Sequence, residues 1–468
     1  PTGTAKVSIK GYVRLVGDDE EILDHSNITV SIYNLANLDQ DIASINRDYP
    51  HIGVQISQVT EFDHRSHYPI ASGLTDVNGS FEIKDIASGT YNFVARKEGW
   101  GFIYKHNVDI EKGTTNISTY NEPIFLYPEV LIVNNVFEEM ILESNRHYIF
   151  EENTVFHNGS HLVIKPGTVL RINPLRSITI MGGLTAEYLS GEYFKVTSND
   201  GFHPVNSDIS NYANVTIEST ASITNNKLSG GIFSFGNFGI ILKTSGIEIE
   251  NVIFNNKLTG CYAMQINDVM INRVLFRGSQ DENNASLYTE NMNDSIVKNS
   301  IFANNLRGAR IQNSENNLLT NNYFINNENI SLLHWFYSNN VIEESIFSNT
   351  QVGILNSGGS SVSIQRNVIS AVIGVNNIDY LSSGGYAFPT INYNNFDCSE
   401  YAVRTRYAGP IRYHDATHNY WGTTVVSEIE ELIWDKNDEP ETNTINNAYI
   451  DYVPFLNQPY EGAGIQEE

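Results

Sequence analysis

The densest group of side chains able to do chemistry lies between Tyr401 and His414. Tyr401-Ala402-Val403-Arg404-Thr405-Arg406-Tyr407 is followed closely by Arg412-Tyr413-His414. Aromatic faces stack on sugar rings, and guanidinium groups pair with carboxylate or sulfate. Tyr401, Tyr407 and Tyr413 are therefore candidate substrate-binding residues, and Arg404, Arg406, Arg412 and His414 are candidates for catalysis on an acidic glycan. A closing turn of the chain whose arginines offset neighbouring acids explains the same residues, and is the preferred expectation.

Other groupings are sparser. Arg273, Arg277, Arg307 and Arg310 form a second set, expected to balance Asp281, Glu282 and Glu315 at the surface. Asp435, Asn437 and Asp438 cluster oxygens in a loop, a pattern that suits Ca²⁺, although an acidic turn after a short helix accounts for it equally. Asp76 and Asn78 belong to an Asp-Val-Asn-Gly run that reads first as hairpin chemistry. His64-x-x-His67 has no third ligand nearby in sequence, and His414-x-x-x-His418 would share a face only in a helix, which Gly409-Pro410 argues against.

The composition bounds the partners. The 468 residues carry 28 Lys and Arg against 54 Asp and Glu, a formal net charge of −26. Such a chain repels phosphate backbones, so nucleic acid is disfavoured. No run of about 18 apolar residues exists to span a bilayer. Hydrophobic residues at 41% suffice for a core and exclude disorder for most of the length. The chain opens at Pro1 without a charged-then-apolar leader, as a processed product would.

The elements that must position these side chains read as strands. Lys6–Val13 and Ile28–Ile32 alternate, and Thr75-Asp76-Val77-Asn78-Gly79-Ser80-Phe81 places an Asn-Gly turn before another strand. Ile86-Ala87-Ser88-Gly89-Thr90-Tyr91 and Gly99-Trp100 follow. This run resembles the carboxypeptidase-regulatory-like family, which implies a small antiparallel β-sandwich of non-catalytic type over residues 1–129. Residues 34–72 interrupt the pattern and are expected to form a mobile loop. The one helical pattern runs from Val426 to Trp434, with Ile429, Leu432 and Ile433 on one face.

From about residue 130 the sequence repeats. Phe254, Phe276, Phe302, Phe324, Phe347, Ile369 and Phe396 are separated by 22, 26, 22, 23, 22 and 27 residues, which signals a solenoid of one coil per repeat. Three apolar patches per repeat predict three sides. Asn256, Asn304, Asn326 and Asn349, two residues past their anchors, are expected to turn a corner and stack as a ladder. Ile253, Leu275, Ile301, Tyr323, Ile346 and Val368, just before the anchors, either face outward as an apolar stripe or are buried by a corner lying between the two positions; the corner is preferred. Cys261 and Cys398 sit about six coils apart and are expected to be free thiols.

With Lys165-Pro166-Gly167-Thr168, Gly183-Leu184-Thr185-Ala186 and Asn419-Tyr420-Trp421-Gly422, this repeat resembles the right-handed parallel β-helix group, the pectate-lyase-like superfamily. The expected fold is all-β, a three-sided right-handed parallel β-helix over residues 130–468 with a C-terminal cap, preceded by the sandwich. That group includes lyases, hydrolases, epimerases and non-enzymatic surface proteins, so the fold narrows function little. The preferred expectation is a secreted or cell-surface protein with a structural, adhesive or self-assembling role. It would bind polysaccharide and associate through the β-helix ends or the Thr4–Val13 strand. The alternative is a polysaccharide lyase working through Arg404, Arg406, Arg412 and His414.

Overall fold

The computed structural model of the chain describes residues 6–18, 21–111, 113–199, 211–223, 227–378, 387–407, 409–439 and 446–466. Its N-terminal part is a two-sheet sandwich. Strand β1 (Lys6–Leu15) heads the first sheet and β2 (Thr29–Tyr33) the second. They are followed by β3 (Ala71–Leu74), β4 (Ser80–Ala87), β5 (Gly89–Arg96), β6 (Phe102–Ile110), β7 (Thr114–Asn116) and β8 (Ile124–Leu126). One sheet runs β4-β1-β7 with β8 also on β1, and the other runs β3-β2-β5-β6. Alternation turns Val7, Ile9 and Val13 of β1 and Phe81 and Ile83 of β4 onto Val30, Ile32 and Phe93 of the facing sheet. The Asp76 carboxylate accepts the amides of Asn78 and Ser80, both at 2.9 Å, so the Asp-Val-Asn-Gly run serves the turn as expected. Strand β1 pairs with β4 on one side and with β7 and β8 on the other, so it offers no free edge to a neighbouring sheet. That corrects the expected self-association through this strand, whose Thr4 and Ala5 lie outside the described residues.

From Val130 onward the chain winds as a parallel solenoid with three faces. Face 1 stacks Ile253–Asn255, Leu275–Arg277, Ile301–Ala303, Tyr323–Ile325 and Ile346–Ser348. Face 2 stacks Thr259–Asn267, Leu287–Asn293, Arg307–Gln312, Ile330–Trp335 and Val352–Ser357. Face 3 stacks Met270–Asn272, Ile296–Lys298, Glu315–Thr320 and Asn339–Glu343. The anchor series is in register from coil to coil, beginning one coil earlier at Phe233. From Phe276 to Phe347 the rings stack with centroids 4.5–4.8 Å apart, fully buried along the axis.

Asparagine turns the corners in two ways. Asn304, Asn326 and Asn349 take left-handed φ of 57°, 53° and 50°, and Asn349 donates to Asn326. Asn256 does not join them; its amide reaches the Tyr212 hydroxyl and the Gly236 carbonyl. A longer ladder lies inside, two residues before the anchors. The amides of Ser345, Asn367 and Asn394 donate to the side-chain oxygens of Asn367, Asn394 and Asn419 at 2.8–3.0 Å. Each side chain satisfies a buried amide that the turn takes out of the sheet.

No corner separates the stripe residues from the anchors. Both occupy one strand, so strict alternation points Ile253, Leu275 and Ile301 outward while their neighbours point in. They are nevertheless buried, because residues 34–72 cover them. That segment, expected to be a mobile loop, contains α1 (Gln40–Asp48), capped by Asp39, and a short α2 (Gln58–Glu61). Its Ile42, Ile45, Ile52 and Val54 pack on Ile232, Ile253, Leu275 and Ile301. Polar contacts fasten the edges: Arg277 forks onto Glu61 at 2.9 and 3.1 Å, and Asn304 and Asn326 donate to Asp39 and Asp41. The C-terminal tail continues the cover, with Gly464 donating to the Arg366 carbonyl and lying beside Val368 and Ile346.

At the C-terminal end α3 (Val426–Glu431) buries Ile429 against the last coil. It is shorter than the pattern to Trp434 predicts, because Ile433–Trp434 is a strand paired with Val403–Arg404. Cys261 and Cys398 are both free thiols, as their separation requires.

Candidate functional site

Among the described residues, face 2 carries an aligned file of recognition groups, half-buried except for Leu333 and Asn376, which are buried. Its outward positions align Tyr262, Tyr288, Arg310, Leu333, Leu355, Asn376, Arg404 and Trp434, one per coil. The Tyr262 and Tyr288 rings stack 4.7 Å apart. The Arg310 guanidinium lies 4.7 Å from the Tyr288 ring and 4.9 Å from the Trp335 ring, so it is held between two aromatic faces. Gln312 accepts from Arg310 at 2.6 Å and from the Tyr288 hydroxyl at 3.1 Å, which fixes both. Four coils further, Arg404 lies 5.0 Å over the Trp434 ring. Between these two cation–aromatic stations the face is closed over: Ile330, Leu333, Val352 and Ile373 form a buried apolar cluster, with Trp335, Leu355 and Tyr401 packed against it.

The acid–base character of this file is muted. The Tyr262 hydroxyl donates to Glu290 at 2.8 Å; burial, and then that carboxylate, push its pKa up. Burial likewise raises Tyr288. His334 belongs to the same strand but points inward, and burial holds it near 3, so it is neutral and enclosed. Arg307, at the edge of the file, is desolvated and repelled by Arg310, with Glu282 and Asp281 opposing that effect.

The structure divides the group between Tyr401 and His414. Tyr401, Arg404 and Arg406 belong to one long strand on face 2, in line with Arg310 and Gln312 of earlier coils. Tyr407 is buried, its amide bound by Asn446. Arg412, Tyr413 and His414 belong to a separate strand, Arg412–Asp415, paired with Ala448–Asp451. Tyr413 stacks in the open on Tyr449, Arg412 lies over Phe388, and His414 is enclosed, with burial lowering its pKa to about 4. Three of the seven therefore share a face with the aromatic file, and the rest do not. Of the second arginine set, Arg277 is committed to Glu61, Arg273 reaches the Pro50 carbonyl, and Arg310 joins the file.

The Asp435 loop spends its oxygens on the backbone. Asp435 accepts the amides of Asn437 at 2.7 Å and Ile450 at 3.0 Å, and Asp438 accepts that of Asp435 at 2.9 Å. Burial raises the Asp435 pKa, with Asp438 adding repulsion. Carboxylates aimed at amide donors cap a turn and do not converge on a cation. Among the described residues no group of three or more His, Cys, Asp or Glu is gathered to hold a metal ion.

Sequence reasoning located Arg310, Tyr401 and Arg404 but left Tyr262, Tyr288 and Trp335 unremarked. The signal was available for the tyrosines: Tyr262, Tyr288 and Arg310 fall at equivalent positions of consecutive repeats, while Trp335 lies two residues along, in the lane of Gln312.

No curated protein matches the chain. A type II cohesin–X-dockerin complex of Acetivibrio cellulolyticus aligns at 21% identity over 26% of this chain, with a TM-score of 0.17; the chain spans 58% of that structure's length. The periplasmic alginate epimerase AlgG aligns at 11% identity over 68% of this chain and 78% of that one, with a TM-score of 0.39. A family 28 exopolygalacturonase of Yersinia enterocolitica aligns at 11% identity over 93% and 81%, with a TM-score of 0.22. None of their activities transfers at these identities. The family described as right handed beta helix region matches residues 210–369, and the solenoid of this chain is a right-handed parallel β-helix.

Proposed function

We propose that this protein is a non-catalytic β-helix rod that binds acidic polysaccharide along face 2, outside the cell or at its surface, with the sandwich as an accessory module of carboxypeptidase-regulatory-like type. The observation that carries the reading is the guanidinium of Arg310 held between Tyr288 and Trp335, in line with Arg404 over Trp434. Rings give a sugar chain apolar contact, and guanidinium groups pair with its carboxylates or sulfates. The coil spacing of about 4.8 Å lays Tyr262, Tyr288 and Arg310 out on consecutive coils, a path that a short stretch of a linear polymer can follow. Binding without turnover is supported by the raised Tyr262 and Tyr288 hydroxyls and by the inward, neutral His334: none of these three is a base poised near neutrality.

The test is retention on immobilised pectate, alginate and sulfated glycan, followed by ultraviolet absorbance for unsaturated product. Wild-type protein should be retained on at least one of them without releasing product. Arg310→Ala, with Trp335→Ala as a second variant, should weaken retention by about 10-fold, as losing a charge-assisted pair does. Release of unsaturated product, or retention indifferent to both substitutions, refutes the reading.

A further inference from the structure

A cavity of about 300 Å³ lies in the seam between the sandwich and face 1 of the solenoid, lined by Tyr104 and His106 of β6 and by Asn145, His147, Tyr193 and Lys195 of the first coils. The seam concentrates cations in a chain that has few. Three of them are neutralised in place. Arg65 pairs with Asp63 at 2.6 Å, Arg277 with Glu61 at 2.9 Å, and Arg171 with Glu129. Lys195 differs from these three: among the described residues no carboxylate lies within ion-pairing distance of its ammonium, and Asp63 and Glu61 act on it only at longer range. That group donates to the Val59 carbonyl at 3.1 Å and faces the Tyr104 ring, whose centroid is 5.3 Å away. Glu192 also lines the cavity and is exposed. An ammonium with three donors that spends one on a carbonyl has capacity left for an anion.

We propose that this cavity is a second ligand site, taking a single sugar carboxylate against Lys195. A monoanion matches Lys195, the one lysine or arginine among the residues lining the cavity. A phosphate dianion would bring a second charge with nothing to meet it, because His106 and His147 are neutral. Burial is the first cause in both, lowering His106 to about 4 and His147 to about 3. Neutral imidazoles, the Asn145 amide and the Tyr193 hydroxyl suit hydroxyl groups, and the Tyr104 ring offers an apolar face. The volume stands at the lower end for small-molecule sites, the scale of one monosaccharide.

This site is independent of the polymer path on face 2. The probe is a monosaccharide and the variants lie in the seam, so the outcome is separable from retention on a polymer. Calorimetric titration of the full chain with galacturonate should show saturable binding. Galactose, lacking the carboxylate, and acetate, lacking the ring, should each bind about 10-fold more weakly or worse, and inorganic phosphate should not exceed galacturonate. Lys195→Met should weaken galacturonate about 10-fold or more, with circular dichroism confirming the fold; His106→Gln, which leaves the ammonium in place, should weaken it by a smaller factor. Galacturonate binding no tighter than galactose overturns the proposal. So do affinity unchanged in both variants and phosphate binding tighter than the uronate.

Discussion

Gly53 locks the cover of residues 34–72 onto the solenoid, and replacing it with alanine should loosen that cover alone. Its φ is +64°, and its amide donates at 2.7 Å to the carbonyl of Asn299, at the corner leading into face 1. A Cβ built there would lie 2.6 Å from Cδ1 and 2.7 Å from Cγ1 of Ile301, one of the stripe residues. The left-handed backbone costs a Cβ-bearing residue about 1–2 kcal/mol, and overpacking the contact costs about 1–3 kcal/mol more. Against this stand the four aliphatic side chains the cover buries on face 1, each worth about 1.5–3 kcal/mol. The cover should therefore stay docked but open locally about 30-fold more often, or beyond. Amide exchange read by mass spectrometry should show faster exchange across α1 and the turn after it, with the solenoid strands at the far end unchanged. Protease nicking within residues 34–72 should rise in parallel. Ile301→Ala on the Gly53→Ala background should recover part of the protection, with a coupling of about 1–3 kcal/mol. Exchange equal to wild type in Gly53→Ala, or strictly additive effects in the double variant, would refute the contact as the lock.

Two further expectations follow from the core and from its histidines. Phe302→Ala removes a fully buried ring stacked 4.8 Å from Phe276 and 4.5 Å from Phe324, and should destabilise the solenoid by about 3–5 kcal/mol in urea unfolding; a loss under 1 kcal/mol would contradict the stack. Acid should also weaken the fold. Burial lowers His64, His106 and His414 to about 4 and His147 and His334 to about 3. Each stays neutral in the folded chain, while the unfolded chain protonates near pH 6.5, so unfolding takes up protons and stability drops as pH falls from about 6.5 towards 4. A thermal midpoint constant or rising between pH 6.5 and 4.5 would contradict those environments.

The solenoid was legible because its signals are periodic. A large apolar anchor, phenylalanine at all but Ile369, recurs every twenty-two to twenty-seven residues and fixes where each coil begins, and alternation then assigns every neighbour to a side. Corner asparagines were legible at Asn304, Asn326 and Asn349 but not at Asn256, which bonds elsewhere. A second, buried ladder at Asn367, Asn394 and Asn419, two residues before the anchors, was not foreseen. Left-handed asparagines and inward asparagines are the same letter in a sequence, and only the backbone separates them. The cover of residues 34–72 was missed for a similar reason. Two isoleucines three apart, Ile42 and Ile45, are too short a pattern to outvote the surrounding turn residues. What orders that segment is the apolar stripe it meets more than two hundred residues later in the sequence.

That meeting explains a tension within the sequence. An acidic chain with a continuous outward row of Ile232, Ile253, Leu275 and Ile301 would expose a sticky face unless something closed over it. The sandwich carries the segment that closes it, and the same contact brings β6 against the first coils and creates the cavity at Lys195. Face 2, by contrast, keeps Tyr262, Tyr288, Arg310 and Trp335 uncovered by that segment. Three of the seven residues singled out near the C-terminus align with them because a solenoid carries a residue's lane forward coil by coil: Arg404 returns to the lane of Arg310 after four turns, and Arg406 to that of Gln312. Arg412 and His414 lie only a few residues on, but the chain has already turned to another face by then. In a fold of this kind, distance along the sequence is a poorer guide to a shared site than position within the repeat.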